Sequence, residues 1–238
     1  MTAPPALECR DLHFAYRGQP REILAGIDLA IAPGRRVLVI GANGAGKTTL
    51  LRVLAGKHMV PPDTVRVLGM SAFHDPRLSS RLEMLGGRFP FEVDLRVAEI
   101  LARKQHVDPA RRDRLIQVLG VDLGWHMHAV SDGQRRRVQL LLGLLYPRDI
   151  LLLDEITTDL DLIARQDLLA FLREESEVRG TTILYATHIF DTLDQWATDL
   201  LYLVAGKLVL HAPISAVSEL AELPLVSVVE RWLRRDTR

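Results

Sequence analysis

The chain has a single cysteine, Cys9, in 238 residues, so no internal disulfide can form, and this usage fits a reducing compartment. It also lacks an excess of either charge. Thirty basic and thirty acidic side chains cancel, which removes the broad positive field used in nonspecific nucleic-acid binding, and no aromatic-basic motif points to such a partner. Long apolar runs are missing too. The most apolar stretches, 140–146 and 150–153, are broken by Pro147, Arg148 and Asp149 and are too short to cross a bilayer, so any membrane passage falls to another chain. Residues 1–6 carry neither the basic segment nor the apolar stretch of a secretion signal, and a cytoplasmic location is the expectation. No internal repeat, low-complexity tract or long linker divides the chain, which is long enough to bury a substantial core.

What is present is a glycine-rich phosphate loop. Gly41-Ala42-Asn43-Gly44-Ala45-Gly46-Lys47-Thr48 lies between an apolar run at 37–40 and an apolar helical stretch at 50–54, the strand, loop and helix order that such a loop requires. Gly41, Gly44 and Gly46 leave backbone N–H groups bare for phosphate oxygens, and Lys47 adds a point charge for the β- and γ-phosphates. The Thr48 hydroxyl is placed to bind Mg²⁺, and the helix begins with its positive end toward the phosphates. Asn43 and Thr49 join the same nucleotide-binding set. A nucleoside triphosphate is the implied ligand.

Periodicity supplies the framework. Residues 7–16 and 23–31 read as antiparallel strands around a turn at 17–20, and 36–40 as a buried strand. Short strands follow at 65–68 and 82–85, with 71–80 as a loop between them. From 97 to 120 the pattern is helical, with stripes at Val97, Ile100, Leu101 and at Leu115, Val118, Leu119 separated near Asp108-Pro109. Ser131 with Gln134 has the spacing of a capping box opening a further helix. A buried strand at 150–153, a helix at 162–178, a strand at 181–186 and a hairpin at 200–204 and 207–210 complete the pattern, followed by a helical tail whose arginines, Arg231, Arg234, Arg235 and Arg238, are read as a solvated end. This predicts an α/β fold: one domain over 1–238 with a mostly parallel core sheet, an N-terminal antiparallel β part, a small helical lobe at about 88–147 and a tail at about 213–238.

Four aliphatic residues lead into Asp154-Glu155, placing two carboxylates at the C-terminal end of a buried strand, the edge where a parallel sheet holds its ligand. Asp154 suits the Mg²⁺ sphere, and Glu155 is the predicted general base that polarises water for attack on the γ-phosphorus. With Val130-Ser131-Asp132-Gly133-Gln134 upstream and Ala186-Thr187-His188 after the next strand, the chain resembles the ATP-binding-cassette (ABC) ATPases, whose signature usually reads Leu-Ser-Gly-Gly-Gln. The resemblance covers residues 7 to about 210 and implies the P-loop NTPase fold, ATP as ligand and ATP hydrolysis. By position, Tyr16 resembles the aromatic that stacks on adenine, although a packed strand aromatic is the alternative. Asp161 resembles the aspartate of the turn crossing between two cassettes, and His188 the histidine that contacts the γ-phosphate. Ser131, Gly133 and Gln134 match the signature that meets the ATP of the opposite subunit. The resemblance therefore implies pairing, either as a homodimer or with another ABC domain.

Two positions depart from the family pattern. Asp132 stands where the first signature glycine is usual, either tuning the γ-phosphate site or simply favouring the helix start. Gly87 falls where a glutamine senses Mg²⁺ and the attacking water; Arg88 beside it either supplies charge or faces solvent. The changed loop weighs against coupled transport. Residues 71–75, 85–87, 131–139, 154–161 and 186–191 resemble a soluble, non-transporter cassette group with a yeast member associated with a deadenylase and transcription-regulating complex and with relatives in plants. A stand-alone ATPase acting on a soluble protein complex is the leading expectation. The alternatives are the ATP-binding subunit of a transporter with separate membrane chains and a nucleotide-binding regulatory module with little hydrolysis.

Overall fold

In the computed structural model, which describes residues 4–18, 21–87 and 94–236, alternation of apolar and polar side chains shapes the first elements. Strands β1 (Leu7–Phe14) and β2 (Leu24–Ile31) pair antiparallel, with Leu7 opposite Ile31 and Phe14 opposite Leu24. Cys9 points inward from β1, and burial, with help from the Asp28 and Glu8 carboxylates, pushes its thiol up to about 12. After β3 (Arg36–Ile40) and α1 (Lys47–Leu54), strands β4 (Val65–Val67) and β5 (Met70–Ser71) extend this sheet to the order β2-β1-β4-β5. The segment expected as a loop at 71–80 is more ordered than that. Asp75 caps a 3-10 turn at Pro76–Ser80 by accepting from the Arg77 N–H.

The remaining elements are β6 (Leu82–Gly86), α2 (Val97–Ala102), α3 (Pro109–Leu119), α4 (Asp132–Leu144), β7 (Ile150–Asp154), α5 (Leu162–Arg179), β8 (Thr182–Ala186), β9 (Asp199–Val204), β10 (Lys207–Pro213) and α6 (Leu225–Asp236). The core sheet runs β10-β9-β3-β8-β7-β6, parallel throughout except for the β9–β10 hairpin. Its central strands are buried on both faces, which explains their unbroken aliphatic runs. Leu38, Ile40, Leu151 and Leu153 pack toward the helices, while Val37, Val39, Ile150 and Leu152 pack toward α1 and the antiparallel sheet. The predicted chain order of elements is observed.

The tail is docked rather than free. Leu225, Val228, Val229 and Trp232 are buried, Trp232 packs on the Tyr202 ring, and the Tyr202 hydroxyl donates to Asp236 at 2.7 Å. Arg231, Arg234 and Arg235 are exposed, as expected for a solvated face. Residues 1–3, Gln19, Pro20, Arg88 and Arg238, on which parts of the leader, turn, loop and tail readings fall, lie outside the described residues.

A charged pair ties the helical lobe to the core. Arg111 of α3 and Glu175 of α5, both almost fully buried, form two parallel bonds of 2.8 Å, and Arg111 Nε donates to the Leu144 carbonyl at the end of α4. The Phe171 ring lies under Arg111 and Arg114, each guanidinium 5.3 Å from its centroid. Breaking such a pair strands a desolvated charge, whereas replacing both partners by apolar groups does not. Arg111→Ala is therefore expected to lower the unfolding free energy by about 3–5 kcal/mol in urea denaturation, with the Arg111→Met, Glu175→Leu double variant recovering most of that loss.

Candidate functional site

Three parallel strands, β3, β8 and β7, lie side by side and end on one edge of the core sheet. The phosphate loop leaves the first, Thr187-His188 the second and Asp154-Glu155 the third. Register fixes the match: Asp154 is the partner of Ala186 across β7 and β8, and Val39 the partner of Ala186 across β3 and β8. Side chains more than a hundred residues apart in sequence thus converge. Thr48 Oγ1 donates to Asp154 Oδ1 at 3.1 Å, and the Glu155 carboxylate lies 3.0 Å from His188 Nδ1 and accepts from the His188 N–H at 3.4 Å.

The loop is shaped for phosphate. Gly46 precedes α1 with φ +104°, and a Cβ there would come within 2.9 Å of the Ile23 carbonyl, so glycine alone suits the position. No side chain caps α1, which leaves its first N–H groups for an anion. Lys47 Nζ donates to the Gly41 carbonyl at 2.7 Å and the Ala42 carbonyl at 3.2 Å, holding the ammonium over the loop. Burial pulls the Lys47 ammonium below its ordinary pKa, opposed by the nearby Glu155 and Asp154 carboxylates. A bound triphosphate acts in the same sense as those carboxylates. The Asp154 carboxyl is pushed up by burial, against the Thr48 hydrogen bond, and a divalent cation between Thr48 and Asp154 would favour the ionised form. A hydroxyl and a carboxylate at this spacing are hard oxygen donors that fit Mg²⁺.

A cleft of about 400 Å³ is lined by Tyr16, Asn43, Gly44, Gly46, Lys47, Thr48, Thr49, Asp154 and Glu155. Tyr16 stands at its rim with its hydroxyl 3.2 Å from Thr49 Oγ1, and its ring meets Phe14 and His58 edge-on. It lies just past the end of β1 rather than in a strand, packed on these aromatic neighbours and half-buried at the cleft. Glu155 has φ +52°, a conformation costly for a side chain with a Cβ, and its N–H donates to the Ala186 carbonyl at 2.9 Å. Strain at the residue proposed as general base aims its carboxylate off the strand end toward His188.

Ser131, Gly133 and Gln134 do not line this cleft. Ser131 Oγ accepts from the Gln134 N–H while Gln134 Oε1 accepts from the Ser131 N–H, the expected capping box. A Cβ on Gly133 would stand 2.8 Å from the Asp159 carbonyl, so the signature start packs on the turn after β7. Asp161 caps α5 through the Ala164 N–H and pairs with Arg137 of α4. The signature and the aspartate turn are joined to each other, apart from the phosphate loop of the same chain.

Three contributors escaped the sequence reading. Gly86, φ +151°, lies so close to Asp154 that a Cβ would come within 2.6 Å of its carbonyl oxygen. Arg136 Nη1 donates to the Gly87 carbonyl at 3.0 Å and to Gln139 Oε1 at 2.6 Å, and Gln139 Nε2 reaches the Gly86 carbonyl at 3.4 Å. Helix α4 thereby grips the backbone of the Gly86-Gly87 doublet. The Gly86-Gly87 doublet was the available signal for the first. Nothing distinguished Arg136 within its run of three arginines.

The family described as ABC transporter matches residues 24–158. Over 97% of the chain, and 76% of its own length, ABC transporter I family member 20 of Arabidopsis thaliana is 46% identical. CCR4-associated factor 16 of Saccharomyces cerevisiae is 38% identical over 88% of the chain and 79% of its length, in line with the resemblance to a group with yeast and plant members. A solved dimeric cassette in a post-hydrolysis state with ADP and Pi superposes with a TM-score of 0.73 at 19% identity, covering 87% of this chain and 98% of that one. The match across more than half the chain, on a fold with this strand order and this edge of convergent side chains, places it in the ATP-binding cassette family of ATP hydrolases.

Proposed function

We propose that this chain is a magnesium-dependent ATPase that closes on ATP with a second cassette domain, a copy of itself or a related one, and acts on a protein partner outside a transporter. The observation that carries the catalytic part is the joining of Thr48 to Asp154 and of Glu155 to His188 at one sheet edge. Lys47 and the start of α1 hold the phosphates, and Thr48 and Asp154 hold Mg²⁺. The bound ion supplies neutralisation of charge between the β- and γ-phosphates. Glu155 takes the proton of the attacking water, and His188 keeps that carboxylate oriented beside the γ-phosphate. Tyr16 offers a ring to the base.

The separation of Ser131, Gly133 and Gln134 from the cleft of their own chain supports pairing. Such donors serve a phosphate held by a facing subunit, with Asp161 in the turn between them. A γ-phosphate bonded to both subunits favours the closed pair, and its loss removes that preference. The glycine at position 87 and the grip of Arg136 on its carbonyl support action away from membrane subunits, because the backbone at Gly87 is anchored inward to α4. The names of the family and of the plant relative favour the second reading, an ATP-binding subunit serving separate membrane chains. Affinity purification from the native host with and without ATP separates the two: soluble partners support the first reading, an integral membrane protein that stimulates turnover the second.

Glu155→Gln is expected to reduce kcat by about 10² to 10⁴-fold while ATP still binds, and to give an ATP-dependent dimer in size-exclusion chromatography. A monomer saturated with ATP would contradict the pairing. Gly86→Ala, which displaces Asp154, is expected to lower kcat by roughly tenfold to a hundredfold while leaving magnesium-free ATP binding intact, as read by steady-state kinetics and calorimetry.

A further inference from the structure

Just before α2, the chain forms a short antiparallel pairing with the segment that leads to the signature. The Val97 N–H donates to the Trp125 carbonyl and the Met127 N–H to the Leu95 carbonyl, both at 3.0 Å, and Arg96 stands opposite His126. Beyond this single bridge the chain turns, the Ala129 N–H donating to the His126 carbonyl at 2.9 Å. Met127 is fully buried, while the His126 and His128 imidazoles, two residues apart, both stand at the Asp94 carboxylate. Asp94 Oδ1 is 2.9 Å from His126 Nδ1 and 2.7 Å from His128 Nδ1, and the three atoms all lie within 4.8 Å of one another.

Two imidazole nitrogens and one carboxylate oxygen converging from a fixed backbone pairing are the donor set of a borderline transition ion rather than of Mg²⁺. All three side chains are 40% or more exposed, so an ion and completing waters reach them without rearrangement of the core. His13 shows what does not suffice. Its carboxylate neighbours Asp11 and Glu22 contact opposite ring nitrogens and cannot share one ion with the same nitrogen. None of Asp94, His126 and His128 lines the nucleotide cleft.

We propose that Asp94, His126 and His128 form a binding site for one divalent transition-metal ion of the zinc class, clasping the entry of the helical lobe to the approach to Ser131. The proton inventory is definite. Arg96 Nε, always a donor, faces His126 Nε2 at 3.1 Å, so a neutral His126 carries its proton on Nδ1, toward Asp94. Metal ligation takes the Nδ1 lone pair of a neutral imidazole, so the ring proton passes from Nδ1 to Nε2 and Arg96 Nε turns away. Arg96 therefore opposes the ion, and its removal strengthens binding.

The test is isothermal titration calorimetry of Zn²⁺ into the tag-free, metal-stripped full chain, without nucleotide and in excess Mg²⁺ to occupy the Thr48–Asp154 pair. One ion per chain is expected. His126→Ala and His128→Ala should each weaken uptake by at least about tenfold, His13→Ala should leave it unchanged, and Arg96→Gln should tighten it. Circular dichroism checks that each variant is folded. Absence of zinc uptake by the native chain, or equal uptake by the native, His126→Ala and His128→Ala proteins, overturns the proposal.

Discussion

The contact between Thr48 and Asp154 spans 106 residues of sequence and depends on the order of the core sheet. Thr48 stands in the first turn after β3 and Asp154 at the tip of β7, with β8 interposed. Only a parallel arrangement brings all three C-terminal ends to one edge. The architecture and the chemistry therefore share a requirement. A slip of one residue between β7 and β8 would turn Asp154 to the opposite face and separate it from the phosphate loop. The aliphatic runs of β3 and β7, buried on both sides, resist such a slip because every residue in them already fills a defined position.

Around that edge, local discomfort is held in place by surrounding order. Glu155 adopts a left-handed backbone conformation, Gly86 accepts a close approach that no other residue permits, and Lys47 keeps an ammonium partly desolvated. Each is unfavourable in isolation. Each is fixed by neighbours: the Ala186 carbonyl on Glu155, the β6–β7 pairing on Gly86, the loop carbonyls on Lys47. An anionic ligand and its cation answer the charges that remain.

Much of this was legible because it obeys short-range rules. Strand runs, the capping box at Ser131 and the order from phosphate loop to His188 are local patterns whose meaning survives without coordinates. Other features depend on partners distant in sequence. Arg111 and Glu175 read as ordinary polar helix positions, 64 residues apart, until packing buries them against each other. Arg136 belongs to a basic run of which only one member reaches the Gly87 carbonyl. His126 and His128 flank an apolar Met127 and give no signal until the bridge at Arg96 and the turn after it bring both rings to Asp94. Arg231, Arg234 and Arg235 were correctly assigned to solvent, but the apolar stripe ending at Trp232 has its counterpart on Tyr202, which local periodicity does not identify. Tyr16 remains double in character, its ring engaged with Phe14 and His58 yet bordering the cleft.

The buried Cys9 has a practical consequence. Thiolate is the reactive form, and a thiol inside β1 with its ionisation pushed up to about 12 offers almost none at neutral pH. The native chain is accordingly a silent background for maleimide chemistry. A cysteine introduced at exposed Val178, on the outer face of α5, takes a fluorophore or spin label at one known position without removal of the endogenous sulfur, so inter-subunit distances become measurable in an otherwise unaltered protein.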